Sequence, residues 1–144
     1  MMHIRENELQ KYADLAVNAG VHIQKGQTLV VNAPIEAANL VYAVAKTAYK
    51  AGAKNVHVEW NDDKLTRIKY ELAPDEAFKE YPLWKAKGYE EMAENGAAFM
   101  SILAPDPELL QGIDPDRIAA AQQTAGQAME KYRQYIQSDK VSWT

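Results

Sequence analysis

Four residues near the middle of the chain have side chains that could do chemistry together: His57, Glu59, Asp62 and Asp63. His57 and Glu59 lie two positions apart in a β-branched run, so on a strand they point to the same side. Asp62 or Asp63 could curl back toward them at the carboxyl end of that strand, where α/β proteins place their sites. A metal needs three or more converging ligands, which makes His57, Glu59 and Asp62 a candidate metal site. We favour the alternative, a packed or rim histidine with solvated carboxylates, because one strand supplies the whole cluster.

A second candidate is phosphate binding within Gln27–Trp60, which has the pattern of a β-α-β unit. Thr28 to Asn32 is a short β-branched run typical of a buried parallel strand, and Pro34 fits the first position of a following helix. A strand that leads straight into a helix is where α/β proteins bind phosphate. The turn VNAPIEAAN lacks the glycines of both common nucleotide-binding motifs. We therefore interpret it as a capped helix that packs on a sheet.

The remaining nucleophiles and ligands are isolated in the sequence. His3 and His22 stand alone, and Ser101 lies in a predicted buried strand without a G-x-S-x-G motif around it. Cysteine is absent, which excludes disulfides and thiolate chemistry. The aromatic residues could line an interface or a pocket, although core packing is the commoner role. They include Tyr81, Trp84, Tyr89, Tyr132, Tyr135 and Trp143. From residue chemistry alone we assign no catalytic, cofactor-binding or metal-binding residue.

Composition sets the class of the protein. The chain has 144 residues, 47% of them hydrophobic and 25% charged, enough for one domain with its own core. Its net charge of −4, with 16 basic and 20 acidic residues, argues against nucleic-acid binding. The N-terminal residues have no apolar signal core, and no run reaches the length of a membrane span. We expect a cytoplasmic protein without nucleic-acid or membrane partners.

The helix of the β-α-β unit has a clear apolar side and ends at Gly52, before a second strand at Asn55–Trp60. A crossover of this length requires the two strands to be parallel. The predicted buried side comprises Val41, Val44, Ala45 and Ala48. A first helix is predicted over His3–Ala19, with Gly20 as a left-handed C-cap. Its predicted apolar side comprises Leu9, Tyr12, Ala13 and Ala16.

The second half of the chain continues the alternation of helices and strands. The predicted elements are a helix or ordered loop at Asn61–Leu72, a helix start at Pro74, a helix from Pro82 to Asn95 that stops at Gly96, a strand at Ala97–Leu103, and a helix over Asp116–Gln137 that Asp114 and Pro115 begin. The last helix should bury Ile118, Ala121, Ala125, Ala128, Tyr132 and Ile136. Lys140–Thr144 resembles the start of a fourth strand. We predict a three-layer α/β/α sandwich whose mostly parallel sheet has about four strands.

Several phrases of the sequence carry a family resemblance from about Tyr12 to Trp143. They are KGQTLVVNAPIEAANLV, AYKAGAKNVHVEW, TRIKYELAPDEAF, NGAAFMSILAPDPELL, DPDRIAAA and YRQYIQSDKVSW. In this order and spacing they resemble the N-terminal region of the thermophilic-type metallo-aminopeptidases, the aminopeptidase T and aminopeptidase S group. None of the phrases is a catalytic motif, and the family's metal-ligand motifs match no position of this chain.

The resemblance implies a role as the N-terminal domain of a two-domain enzyme about three times as long. Such enzymes are homodimers that remove N-terminal residues from peptides with two divalent metals, zinc or cobalt. The metals would sit in a C-terminal catalytic domain absent from this chain, so the chain alone should be inactive. Its partners would be that domain, the peptide substrate and a second subunit. The alternative is a free-standing flavodoxin-like module that binds a small ligand or a protein.

Overall fold

The structure is a computed structural model that describes residues 2–103 and 106–137, with side chains from residue 7 onward. Within those ranges the strands are β1 (Thr28–Pro34), β2 (Asn55–Asn61) and β3 (Ala98–Ser101). The α-helices are α1 (Met2–Leu15), α2 (Ala38–Lys50), α3 (Asp63–Leu72), α4 (Leu83–Glu94), α5 (Pro115–Ala128) and α6 (Glu130–Gln137). A π-helical turn covers Ala16–Gly20, and 3-10 helices cover Ile35–Ala37 and Asp75–Lys79.

The sheet has the strand order β2-β1-β3, and both pairings are parallel. The chain therefore runs from β1 to one neighbour and then crosses back to the other. Right-handed crossovers that run in opposite directions put their helices on opposite faces of a sheet. This topology confirms the predicted parallel α/β fold. The fourth predicted strand, at residues 140–144, lies outside the described residues.

Two apolar cores cover the two faces of the sheet, which confirms the three-layer architecture. On one face α1, the π-helical turn and α2 pack against Leu29, Val31 and Ala33 of β1. On the other face α4 and α6 pack against Val30 and Phe99. The central strand is therefore buried from both sides, as its β-branched sequence predicts.

A third group of elements stands beside these layers and is held by Arg117. The guanidinium donates to the backbone carbonyl of Tyr70 and to the carboxylate of Asp75, both at 2.9 Å. It also lies over the ring of buried Phe78, which stacks on Tyr70 at 5.1 Å. One side chain thus ties α5 to the end of α3 and to the 3-10 helix. In the described ranges, no helix is long and apolar enough to cross a membrane.

The predicted helix start at Pro34 is wrong. Pro34 is the last residue of β1, where it pairs with Asn61 in extended conformation, ψ 151°. The 3-10 turn Ile35–Ala37 follows, with Glu36 in it, and α2 begins only at Ala38. Pairing with β2 lengthens the strand by two residues, and a local sequence pattern cannot report that pairing. The buried side of α2 is confirmed at Val41, Val44 and Ala48; Ala45 is only half-buried, and Thr47 is buried as well.

The predicted C-cap at Gly20 is also wrong. The first helix widens into the π-helical turn, closed by a 2.9 Å hydrogen bond from the amide of Val21 to the carbonyl of Ala16. The backbone therefore reverses later, at His22, φ 52°. The apolar side of the helix is centred on buried Ala13 and Val17, whereas Tyr12 points to solvent.

Several elements of the second half differ in length from their predictions. Asn61–Leu72 is resolved as a helix from Asp63, which the Asp62 carboxylate caps. The predicted last helix breaks at Met129 because α6 turns to pack on α4 while α5 stays against the 3-10 helix. Its predicted inner side is half-buried throughout. The third strand is shorter than predicted, and Ser101 at its end is exposed. The caps predicted at Asp114 and Gly96 are confirmed.

We expect Gly52→Ala to lower the free energy of unfolding by about 1–2 kcal/mol, because Gly52 has φ 111°, where a Cβ is strained. That Cβ would also lie 3.1 Å from Cα of Lys25. Gly88→Ala is the matched control. Gly88 is helical and has open space around it, so this change should raise the free energy of unfolding by up to about 1 kcal/mol. Urea denaturation followed by circular dichroism measures the stability of both variants. Equal stability would contradict the left-handed backbone conformation of Gly52.

Candidate functional site

A row of polar side chains crosses the sheet near the carboxyl ends of its strands. Asn32 of central β1 pairs with Glu59 of β2 on one side and with Ser101 of β3 on the other. Side chains alternate along a strand, and Val30 and Phe99 two residues earlier face α4. Glu59, Asn32 and Ser101 therefore face α4 too. We call these three residues the polar row.

The position of the polar row matches a recurrent binding site of the fold class. When a chain leaves a central strand in both directions, the crossovers diverge and leave a crevice at the carboxyl ends of the two strands concerned. In the order β2-β1-β3 that crevice lies between β1 and β3. Asn32 and Ser101 stand at its floor, so polar groups occupy the place where α/β domains bind ligands.

Glu59 carries the negative charge of the polar row and meets two basic side chains. Its Oε1 lies 3.5 Å from Nζ of Lys85, which α4 supplies, and its Oε2 lies 3.3 Å from Nε2 of His57. All three side chains remain partly exposed, so the pairs contribute little to stability. Their effect is to fix the position of the carboxylate.

Tyr89 of α4 covers the centre of the polar row. Its hydroxyl donates a 2.8 Å hydrogen bond to Oδ1 of Asn32. Burial, with a smaller contribution from the charge of Glu59, raises the pKa of Tyr89 and of neighbouring Tyr81. Both phenols therefore stay protonated at neutral pH and cannot act as bases. The row is suited to hold a polar group in place rather than to transfer a proton.

The structure brings His57 and Glu59 together, on the same side of the strand as predicted, but not the two aspartates. The carboxylate of Asp62 accepts from the backbone amide of Lys64 at 3.0 Å as the N-cap of α3, and Asp63 lies in the first turn of that helix. Across the part of the chain that the structure describes, no three His, Asp or Glu side chains are placed to hold one metal ion. The described residues therefore do not fit a metal centre.

The other sequence candidates have separate locations. His22 lies on a surface turn, with Nδ1 3.1 Å from the carbonyl oxygen of Asn18. Tyr89 and Tyr132 meet Phe99 in an aromatic cluster of the second core, with ring centroids 5.1–6.4 Å apart, whereas Trp84 is exposed. The side chain of His3 and all of Trp143 lie outside the described residues.

Two members of this site, Asn32 and Lys85, were missed by sequence reasoning. Asn32 interrupts an apolar strand, which is a signal, but its neighbours depend on the strand register. Lys85 is one of two lysines on α4, and nothing in the local sequence distinguishes it from Lys87. Strand order and helix placement were needed to find both.

The fold and the polar row define a doubly wound α/β domain with a row of polar side chains near the carboxyl ends of its strands. Comparison with known proteins adds the family. The profile of the thermophilic metalloproteases, peptidase family M29, matches residues 5–144. The chain belongs to this family.

Named relatives agree with that assignment. Aminopeptidase AmpS of Bacillus subtilis is 59% identical over 137 residues, and aminopeptidase 2 of Geobacillus stearothermophilus is 59% identical over 139. The structure of wild-type AmpT from Thermus thermophilus superposes with a TM-score of 0.91 at 32% identity, over 96% of this chain and 35% of that one. The chain covers 33% of AmpS and 34% of aminopeptidase 2, so it spans about a third of the length of these relatives.

We expect Tyr89→Phe to lower the free energy of unfolding by about 1–2 kcal/mol, because Oδ1 of Asn32 then loses its donor in a partly buried site. Tyr42→Phe is the control, since the Tyr42 side chain is exposed on α2, and it should leave stability unchanged. Urea denaturation at neutral pH compares the two. A Tyr89→Phe protein as stable as the Tyr42→Phe protein would rule out the hydrogen bond.

The stability difference between the natural protein and Tyr89→Phe should narrow in alkali. Tyr89 has its ordinary pKa of 10.0 when unfolded and a raised pKa when folded. Its stabilising effect is therefore complete below pH 10 and is lost as the pH rises beyond that, because the unfolded state then ionises first. Urea midpoints measured at about pH 8 and about pH 11 test this expectation. A constant difference would contradict the raised pKa.

Proposed function

We propose that this chain is the N-terminal domain of a two-domain metal-dependent aminopeptidase, which removes N-terminal residues from peptides. The observation that carries the proposal is the match to AmpS, which covers 95% of this chain at 59% identity but only 33% of the relative. Identity at that level supports the proposal that the whole protein to which this chain belongs has the same activity as AmpS. Family membership also favours a peptidase over a free-standing flavodoxin-like module.

The metals of this proposed enzyme would be two divalent ions, zinc or cobalt, held by a catalytic domain outside this chain. The described residues offer His57 and Glu59 as a pair but no third ligand beside them. When bound, such metals polarise a scissile carbonyl and lower the pKa of a bound water. The contribution of this chain would be to binding and access.

In this proposal the domain shapes access to the active site and supports a cytoplasmic homodimer. Two surfaces support these roles. Trp84 and Leu83 at the start of α4 are exposed, and α5 presents half-buried alanines that allow close approach of another element. Leu83 and Trp84 remain largely exposed among the described residues, whereas α5 already packs on the 3-10 helix with part of its surface.

A chimera tests the function. This chain would replace the matched third of Bacillus subtilis AmpS, and hydrolysis of leucine p-nitroanilide would be measured with added zinc or cobalt. We expect turnover by the chimera, because the domains share 59% identity, and none above a metal-only blank by the 144-residue chain. Unmodified AmpS is the positive control. A folded, metal-loaded but inactive chimera would overturn the function, and turnover by the chain alone would overturn its non-catalytic role.

A further inference from the structure

Large apolar side chains are unevenly distributed over the surface of the described residues. One group lies on α1 and α2 and comprises Tyr12, Leu15, Tyr42 and Tyr49. The larger group comprises Ile35, Trp60, Leu65, Ile68, Leu72, Leu83, Trp84 and Leu103. Every member of the larger group lies at a strand's carboxyl end, in the first turn of a helix at that edge, or on α3.

The topology explains why these residues share one edge of the sheet. Ile35 follows the end of β1, Trp60 is the last residue but one of β2, and Leu103 lies two residues beyond β3. The helix α4 runs antiparallel to the strands, so Leu83 and Trp84 in its first turn stand at the same edge. We call this surface, together with α3, the apolar edge.

The helix α3 supplies a continuous stripe of the apolar edge. Leu65, Ile68 and Leu72 recur at intervals of three and four residues, which places them on one side of the helix. They are 65%, 51% and 78% exposed, and no residue of α3 is buried. An amphipathic helix whose apolar side faces solvent normally meets another surface.

Contacts on the opposite side of α3 hold the stripe in place. Arg67 donates to the backbone carbonyls of Leu109 at 2.8 Å and of Gln111 at 2.7 Å. Tyr70 stacks on buried Phe78. The stripe is therefore presented in a fixed orientation, which lowers the entropic cost of binding a partner.

A groove of about 670 Å³ adjoins the stripe, between α3 and residues 106–111. Ile68 and Leu109 give it an apolar lining, while Asp63, Asp106 and Glu108 make its rim acidic. Arg67 in its wall is already paired with Glu71, which leaves Lys64 as the remaining basic group of the lining. The groove is therefore complementary to an apolar side chain flanked by basic residues.

We propose that the apolar edge is the docking surface for the metal-binding domain of the peptidase, with the α3 stripe at its centre and the acidic groove receiving an apolar side chain with a basic flank. The inference rests on the proposed function. The proposed occupant is the rest of the peptidase, because about two thirds of each relative lies outside the region that this chain matches. Domains joined in one chain commonly bury about 600–1,500 Å² against each other.

A second copy of the chain is a poorer occupant of this surface. A two-fold contact centred on the groove would place the same acidic rim of both copies together, since such contacts join identical patches. Like charges at an interface oppose association. The charge pattern therefore favours a partner with a different sequence.

The test compares two pairs of substitutions in the AmpS chimera. Leu65→Glu with Ile68→Glu changes the stripe. Tyr12→Glu with Leu15→Glu is the matched control, because those residues have the same spacing on α1 and are 65% and 64% exposed. In the 144-residue chain both pairs should leave the melting temperature within about 2 °C, because surface substitutions away from contacts change stability little.

In the chimera only the stripe pair should separate the domains. We expect its unfolding to split into two calorimetric transitions and its tryptic cleavage between domains to accelerate by roughly tenfold or more, as the undocked state becomes populated. The control pair should behave like the parent chimera. Equal behaviour of the two pairs would overturn the proposal, as would a dimer of the 144-residue chain that the stripe pair alone dissociates.

The outcome separates the docking surface from the proposed function. A parent chimera without leucine p-nitroanilide hydrolysis contradicts the function, whereas an active chimera unaffected by the stripe pair contradicts the docking surface. If the chimera does not fold, glutamate pairs are introduced into intact AmpS at the positions aligned with the stripe pair and with the control pair. The stripe positions should then accelerate tryptic cleavage between the domains by roughly tenfold or more relative to the control positions. Equal cleavage rates would overturn the proposal.

Discussion

The burial of β1 on both of its faces is the constraint on which the other layers depend. Leu29, Val31 and Ala33 point into one core and Val30 into the other, and among the described residues both neighbouring strands pair only with β1. A parallel strand in this position needs helices on both sides, because the apolar side chains on both of its faces must be removed from water. The crossovers through α2 and α4 supply those helices. The strand order and the layer order are therefore two consequences of one buried strand.

Local sequence patterns predicted the elements whose stabilising contacts are local. Four features depend on residues within a few positions of one another: the run Thr28–Asn32, the apolar side of α2, the end of that helix at Gly52 and the cap at Asp114. Pro34 did not follow its local preference, because pairing with Asn61 extended the strand through it. The break at Met129 has the same kind of origin, since α5 and α6 pack against different elements.

The candidate site was only partly predictable for a related reason. Spacing alone placed His57 and Glu59 on one side of a strand. Asn32 and Lys85 come to Glu59 through strand register and helix packing, from positions 27 and 26 residues away in the chain. The short separation in sequence between Glu59 and Asp62 was misleading as evidence for a metal site. The Asp62 carboxylate accepts a hydrogen bond from the first turn of α3 as its N-cap, so it does not point toward Glu59.

The polar row does not prevent another domain from covering the apolar edge, because its main polar groups already have hydrogen-bond partners within this chain. Covering a surface removes water from any polar group on it, and a group without a partner then destabilises the covered state. Tyr89 already donates to Asn32, and Glu59 is already paired with Lys85 and His57. Throughout the described ranges, no buried side-chain nitrogen or oxygen lacks a partner. Another domain could therefore cover this edge through its apolar side chains without leaving these polar groups unsatisfied.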